Sequence, residues 1–169
     1  MLNKIKAIWK KYKGYLPSLL VSLAIPLAVG MLSALLTKNN MSIYNEIKTP
    51  PLSPPPILFP IVWSILYILM GVSSFLVYKN KTEENGELVK SALTSYAISL
   101  GLNFLWSILF FNLRVFAIAV VCLLLLLFFI IKSTLAYLKI KPSAAYLQIP
   151  YILWIAFALY LNIAIAIIN

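Results

Sequence analysis

The chain has 169 residues, 63% of them hydrophobic and only 11% charged, whereas soluble domains carry roughly 45–50% apolar and about 25% charged residues. Fourteen Lys and Arg oppose four glutamates, Glu46, Glu83, Glu84 and Glu87, for a formal charge of +10, and histidine and aspartate are absent. With one cysteine, Cys122, and no carboxylate inside an apolar run, a histidine-ligated haem, a zinc site, an internal disulfide and an intramembrane Asp/Glu/His proton relay are all excluded.

Lipid offers the backbone no hydrogen-bond partners, so long apolar runs must be helices that satisfy themselves. The expected fold is all-α, an integral membrane bundle of five transmembrane helices forming one domain over residues 16–169, preceded by a cationic interfacial segment at 1–15. In that segment Lys4, Lys6, Lys10, Lys11 and Lys13 are interspersed with Leu2, Ile5, Ile8, Trp9 and Tyr12 at approximately helical spacing, which suits a short helix lying on the membrane surface. The first span, about 16–36, is too long for the apolar core of a secretory signal and lacks a small-residue cleavage site. It is therefore read as a retained helix of about 30 Å, bent at Pro26.

Residues 37–56 turn polar and then proline-rich, as Thr49-Pro50-Pro51-Leu52-Ser53-Pro54-Pro55-Pro56, a composition that forbids regular helix and favours a stiff, structured loop. The second span, about 57–78, is followed by a mixed-charge connector with Asn85-Gly86 as a turn signal. The third, about 91–111, and the fourth, about 115–138, are separated only by Asn112-Leu113-Arg114, too short a junction for anything but an antiparallel hairpin. The fifth runs over about 144–168. Eleven of the fourteen basic residues lie at the N-terminal end, the second connector and the fourth, while Lys38, Lys48 and Arg114 lie on the other side. The positive-inside rule then places the N-terminus in the cytoplasm, as expected for a bacterial plasma membrane. Lysines that flank apolar runs mark topology, and nucleic acid is not expected as a partner.

Three spans carry candidate functional residues. Phe59, Trp63, Tyr67 and Met70-Gly71 form an aromatic column on the second, which either lines a cavity or packs on neighbouring helices. Asn103, Trp106 and Phe110 share a face of the third, and Trp154, Phe157, Ala158 and Asn162 share a face of the fifth. Asparagines facing lipid would leave hydrogen bonds unmet, so Asn103 and Asn162 should point inward, as interhelical glue or as ligand contacts. Arg114 is either an interfacial anchor or a reach toward an anion. Leu135-Ala136-Tyr137-Leu138-Lys139 fits a loose sterol-contact pattern that almost any membrane helix end satisfies. Cys122 reads as an apolar filler.

Three segments together resemble the TspO family, also called the peripheral benzodiazepine receptor family. They are Pro51-Leu52-Ser53-Pro54-Pro55 with Phe59-Pro60-Ile61-Val62-Trp63, Leu66-Tyr67 and Met70-Gly71; then Leu102-Asn103-Phe104-Leu105-Trp106-Ser107 with Phe110-Phe111 and Arg114; then Pro150-Tyr151-Ile152-Leu153-Trp154 with Phe157-Ala158 and Leu161-Asn162. The resemblance implies a five-helix bundle, often dimeric, with a ligand pocket among helices one, two, three and five under the first loop. Its implied ligands are porphyrins and, in animal members, cholesterol and synthetic drugs. Carried over by position, the pocket residues are Trp63, Tyr67, Asn103, Trp106, Trp154, Ala158 and Asn162.

Two departures stand out. Leu52 occupies a place where the family usually has tryptophan, keeping apolar bulk but losing the indole's electron-rich ring, which argues against the light-dependent porphyrin breakdown attributed to pocket tryptophans in some bacterial members. Cys122 stands at or beside a helix-four position that is often acidic in relatives. The expected function is a membrane receptor or regulator for a planar hydrophobic molecule such as a porphyrin, with no catalytic residues, no metal and no cofactor, and with membrane lipid and a second copy of the chain as further partners. A transporter of porphyrin- or sterol-like ligands and a porphyrin-degrading enzyme are the alternatives.

Overall fold

The computed structural model describes residues 14–169, so the cationic segment expected at 1–15 lies, apart from Gly14 and Tyr15, outside the described residues. Five helices among these are long and apolar enough to cross a membrane: α1 (Leu16–Thr37), α2 (Leu58–Lys79), α3 (Gly86–Ser107), α4 (Phe116–Ile140) and α5 (Ile149–Ile168). No strand occurs among the described residues. The chain is an all-α, multi-pass integral membrane protein. Helix α1 lies against α2 and α3, α3 against α4, α4 against α5, and α5 touches α2, which closes a ring in the order α1, α2, α5, α4, α3.

The bundle has an apolar core but exposes apolar side chains on its outer surface as well. On α1 the buried residues are Pro26, Ser33 and Thr37, while Leu20, Val21 and Met31 are exposed. Ser73 and Ser74 of α2, Ser99 of α3 and Ser133 of α4 are likewise buried. Lipid solvates leucine as well as the interior does, so apolar residues occupy both the core and the outer surface, and small or hydrogen-bonding residues are added where helices meet. Gly71 shows how close they come: a Cβ there would stand 2.9 Å from both the Leu23 Cα and the Ser22 carbonyl oxygen of α1.

Two helix starts differ from the sequence expectation. Helix α3 begins at Gly86, five residues before the expected 91. Thr82 N–H donates to Asn85 Oδ1 (2.7 Å) and Asn85 Nδ2 to the Asn80 carbonyl (3.0 Å), so the Asn85-Gly86 turn itself launches the helix. Val89 and Ala92 are already buried while the charged residues face water. Helix α5 begins at Ile149, after a separate short helix at Pro142–Tyr146. Pro150 has no N–H to give the Tyr146 carbonyl, which favours the break between the two. The junction is held by Gln148 Nε2 donating to Ser73 Oγ (3.0 Å), which in turn donates to the Ala144 carbonyl (2.7 Å).

Helix α3 ends in a wider π-turn at Ile108–Asn112, closed by Leu113 N–H on the Ile108 carbonyl at 3.0 Å. Arg114 then takes the left-handed conformation, φ 56°, which reverses the chain into α4 much as a helix C-cap does.

Candidate functional site

A cavity of about 480 Å³ lies between α1, α2 and α3, under the first connector. Helix α2 supplies its aromatic wall: Trp63 and Tyr67, one turn apart, stack with ring centroids 5.4 Å apart and 29° between planes, and Phe59 continues the column. Trp106, Ser107 and Phe111 form the α3 wall, and Met41 of the connector closes one end. Helix α1 contributes Gly30, Ser33 and Thr37. No charged side chain lines the space.

The Tyr67 ring can lie against α1 because residue 30 is glycine; a Cβ there would clash with the Cε2 edge of the ring. The few polar atoms are arranged around this tyrosine. Asn103, which is buried directly behind the wall, donates from Nδ2 to Tyr67 Oη at 3.3 Å, and Ser107 Oγ donates to the Asn103 carbonyl at 3.2 Å. Thr37 Oγ1 donates to the Ser33 carbonyl at 2.8 Å. Two buried atoms have no partner: Ser33 Oγ in the cavity wall and Asn103 Oδ1 behind it. In a dry interior each is a standing demand for a hydrogen bond.

The seven residues singled out from sequence fall into distinct places. Trp63, Tyr67 and Trp106 line the cavity, and Asn103 orients Tyr67 from behind. Ala158 and Asn162 of α5 border a separate void of about 20 Å³ on the far side of Trp106. There Trp106 Nε1 donates to Asn162 Oδ1 (3.0 Å) and Asn162 Nδ2 donates to the Phe116 carbonyl (3.1 Å), so this amide joins α3, α4 and α5. Trp154 borders an open outer groove with Val62, Ile65 and Leu66 of α2, and it reaches the cavity only through the Phe59 ring, edge-on at 6.0 Å. None of the seven lies on helix α1, which also lines the cavity. Its signal is present, since Pro26, Gly30, Ser33 and Thr37 recur at steps of four, three and four along an otherwise aliphatic span.

The first connector is fastened over this end of the bundle at several points. Asn40 Nδ2 donates to Asn112 Oδ1 (2.8 Å), and Asn112 Nδ2 to the Leu36 carbonyl (3.1 Å). Glu46 pairs with Arg114 at 2.9 Å. Lys48 and Asn169 exchange two hydrogen bonds, 2.9 and 3.0 Å, and Tyr160 Oη donates to the Pro51 carbonyl (3.1 Å). Arg114 is thus engaged by the connector, with both partners about half exposed. Leu52 takes a left-handed φ of 68° and projects into solvent, 79% exposed.

An uncharged, aromatic-walled cavity with isolated hydroxyl and amide groups suits a flat apolar molecule, gripped by stacking and oriented by a few hydrogen bonds. Cys122 points elsewhere, with Sγ donating to the Leu102 carbonyl at 3.4 Å.

The TspO/MBR family model matches residues 22–168. The chain is similar to the tryptophan-rich protein TspO of Chlorobaculum tepidum, 34% identical over 153 residues that cover 90% of this chain and 96% of the relative. It is 33% identical over 152 residues to the tryptophan-rich protein TspO of Archaeoglobus fulgidus, covering 89% and 96%. With the translocator protein of Ovis aries it shares 37% identity over 122 residues, 70% of each chain.

Proposed function

The chain belongs to the TspO/MBR family, and from that premise we propose that it is a membrane receptor or regulator that binds a planar hydrophobic molecule such as a porphyrin between α1, α2 and α3. The observation that carries this reading is the stacked Trp63 and Tyr67 pair facing an uncharged space of about 480 Å³, within the size range of small-molecule pockets. A tetrapyrrole offers an extended π-face to those rings and polar edges to Ser33 and Tyr67. We place the connector-covered end outside the cell, because the lysine-rich ends of the helices lie opposite.

Quenching of tryptophan fluorescence by protoporphyrin IX in detergent tests the reading. Saturable quenching, weakened by Tyr67→Ala and Asn103→Ala and with a porphyrin spectrum stable under illumination, is the expected result. Quenching that rises linearly and ignores both substitutions would mean partition into micelles and would remove the proposal.

One observation favours transport as a second reading. Met31 and Ser64, at the edge of the cavity between α1 and α2, are exposed toward the lipid side, and the sheep relative bears the name translocator protein. Porphyrin flux into vesicles that depends on Tyr67 would select it over a receptor.

A further inference from the structure

A second recess, of about 250 Å³, opens on the outer surface between α3 and α4. It is distant from the aromatic cavity: Lys90 in its wall precedes Trp106 by sixteen residues of the same helix, about 24 Å along the axis. Lys90, Ser91, Thr94 and Ser95 line one side, and Phe129 and Lys132 line the other. Two cations therefore converge from adjacent helices on a space edged by hydroxyl groups.

Lys132 is oddly placed. It stands eight residues before the end of α4 at Ile140, about 12 Å inside the helix terminus, with its ammonium 5.9 Å from the Phe129 ring centroid. Among the described residues the single ion pair within 4.0 Å joins Arg114 to Glu46, so neither Lys90 nor Lys132 has a carboxylate partner. Glu87 also borders the recess, one turn nearer the water, and leaves the site with a net charge of one positive unit. An ammonium this far along a membrane helix calls for an anion or for water at its tip.

The recess is graded along its length. Following α3 inward from the helix start, it passes from Glu87 through Lys90 and Ser91 to Thr94 and Ser95 and ends at Ile98. The antiparallel α4 repeats the order, with Lys132 outward and Phe129 one turn deeper. Charge, then hydroxyl, then hydrocarbon is the order of a glycerophospholipid: phosphate, glycerol esters, acyl chain. The lysine-rich ends mark this as the cytoplasmic leaflet, where anionic lipids reside and where basic pockets between helices take their headgroups.

We propose that the α3–α4 recess is a binding site for an anionic glycerophospholipid, its phosphate held between Lys90 and Lys132 and one acyl chain laid along Ile98 and Phe129. The site is independent of the aromatic cavity and does not rest on what that cavity binds.

Native mass spectrometry of the full chain in a neutral detergent tests this, with phosphatidylglycerol and phosphatidylcholine of identical acyl chains as probes. Phosphatidylglycerol should be retained in preference. Lys90→Gln or Lys132→Gln should each weaken it about fivefold, the equivalent of ~1 kcal/mol per lysine near an anionic headgroup. Lys132→Arg should preserve retention, and Lys139→Gln, outside the recess, should leave it unchanged. Equal retention of the two lipids, or an equal loss in Lys139→Gln, would overturn the site in favour of diffuse charge attraction. Complete displacement of the lipid by millimolar inorganic phosphate would overturn the lipid assignment, because the acyl chain would then add nothing.

Discussion

Asn103 and Asn162 look alike in sequence, each a buried amide on an aromatic face, yet the structure assigns them unequal consequences. Asn162 makes two interhelical hydrogen bonds, at 3.0 and 3.1 Å. Truncation to alanine removes both, at ~0.6 kcal/mol each in a membrane, and strands the buried Trp106 N–H at a further ~1–3 kcal/mol. The expected loss is about 2–4 kcal/mol. Asn103→Ala loses one longer bond of 3.3 Å and also deletes an oxygen that had no partner, so its two effects oppose and the net cost is about 1 kcal/mol or less. Thermal unfolding in detergent, followed by circular dichroism, reads both. Ligand quenching should show the reverse order: Asn103→Ala weakens binding in protein that is still folded, and Asn162→Ala acts mainly through the midpoint. If Asn103→Ala unfolds at the lower temperature, the division between a bundle-holding amide and a site-orienting one is wrong.

Gly71→Ala forces a Cβ against the α1 backbone and should destabilise by about 1–2 kcal/mol, overpacking outweighing the helix-propensity gain. Gly101→Ala, whose Cβ would meet nothing within 4 Å, should instead be neutral or stabilising by up to about 1 kcal/mol, and unfolding midpoints compare the pair directly. The Tyr137 hydroxyl is fully buried without a partner, so Tyr137→Phe should raise the midpoint, by about 1 kcal/mol of stability; a fall would reveal a water bound there. The Glu46 to Arg114 pair is half exposed, so Glu46→Gln should cost only about 0.2–1 kcal/mol, an effect that disappears in molar salt.

The five spans were legible because a backbone in lipid has so few solutions, and length with apolarity identifies them. Orientation of side chains was harder. In a span where aliphatic residues face lipid, the face that matters is the sparse polar one, and on α1 that face carries Gly30, Ser33 and Thr37 with no aromatic to mark it. Trp154 is expected in the pocket by its position in the family motif; the structure sets it in the outer groove beside α2, joined to the cavity lining through the Phe59 ring. The π-turn at Ile108–Asn112 has no sequence signal of its own; its last residue, Asn112, is engaged by Asn40 and the Leu36 carbonyl, contacts from a distant part of the chain. The break between Pro142–Tyr146 and α5 follows a local rule, the missing N–H of Pro150.

The bare backbone at Gly30 has a mechanical consequence. With no side chain at residue 30, the Tyr67 ring packs directly on the α1 backbone. A larger side chain at residue 30 would have to turn the Tyr67 ring away from α1 or push the two helices apart, so the shape of the aromatic wall is set by the one position on the first helix that carries no side chain.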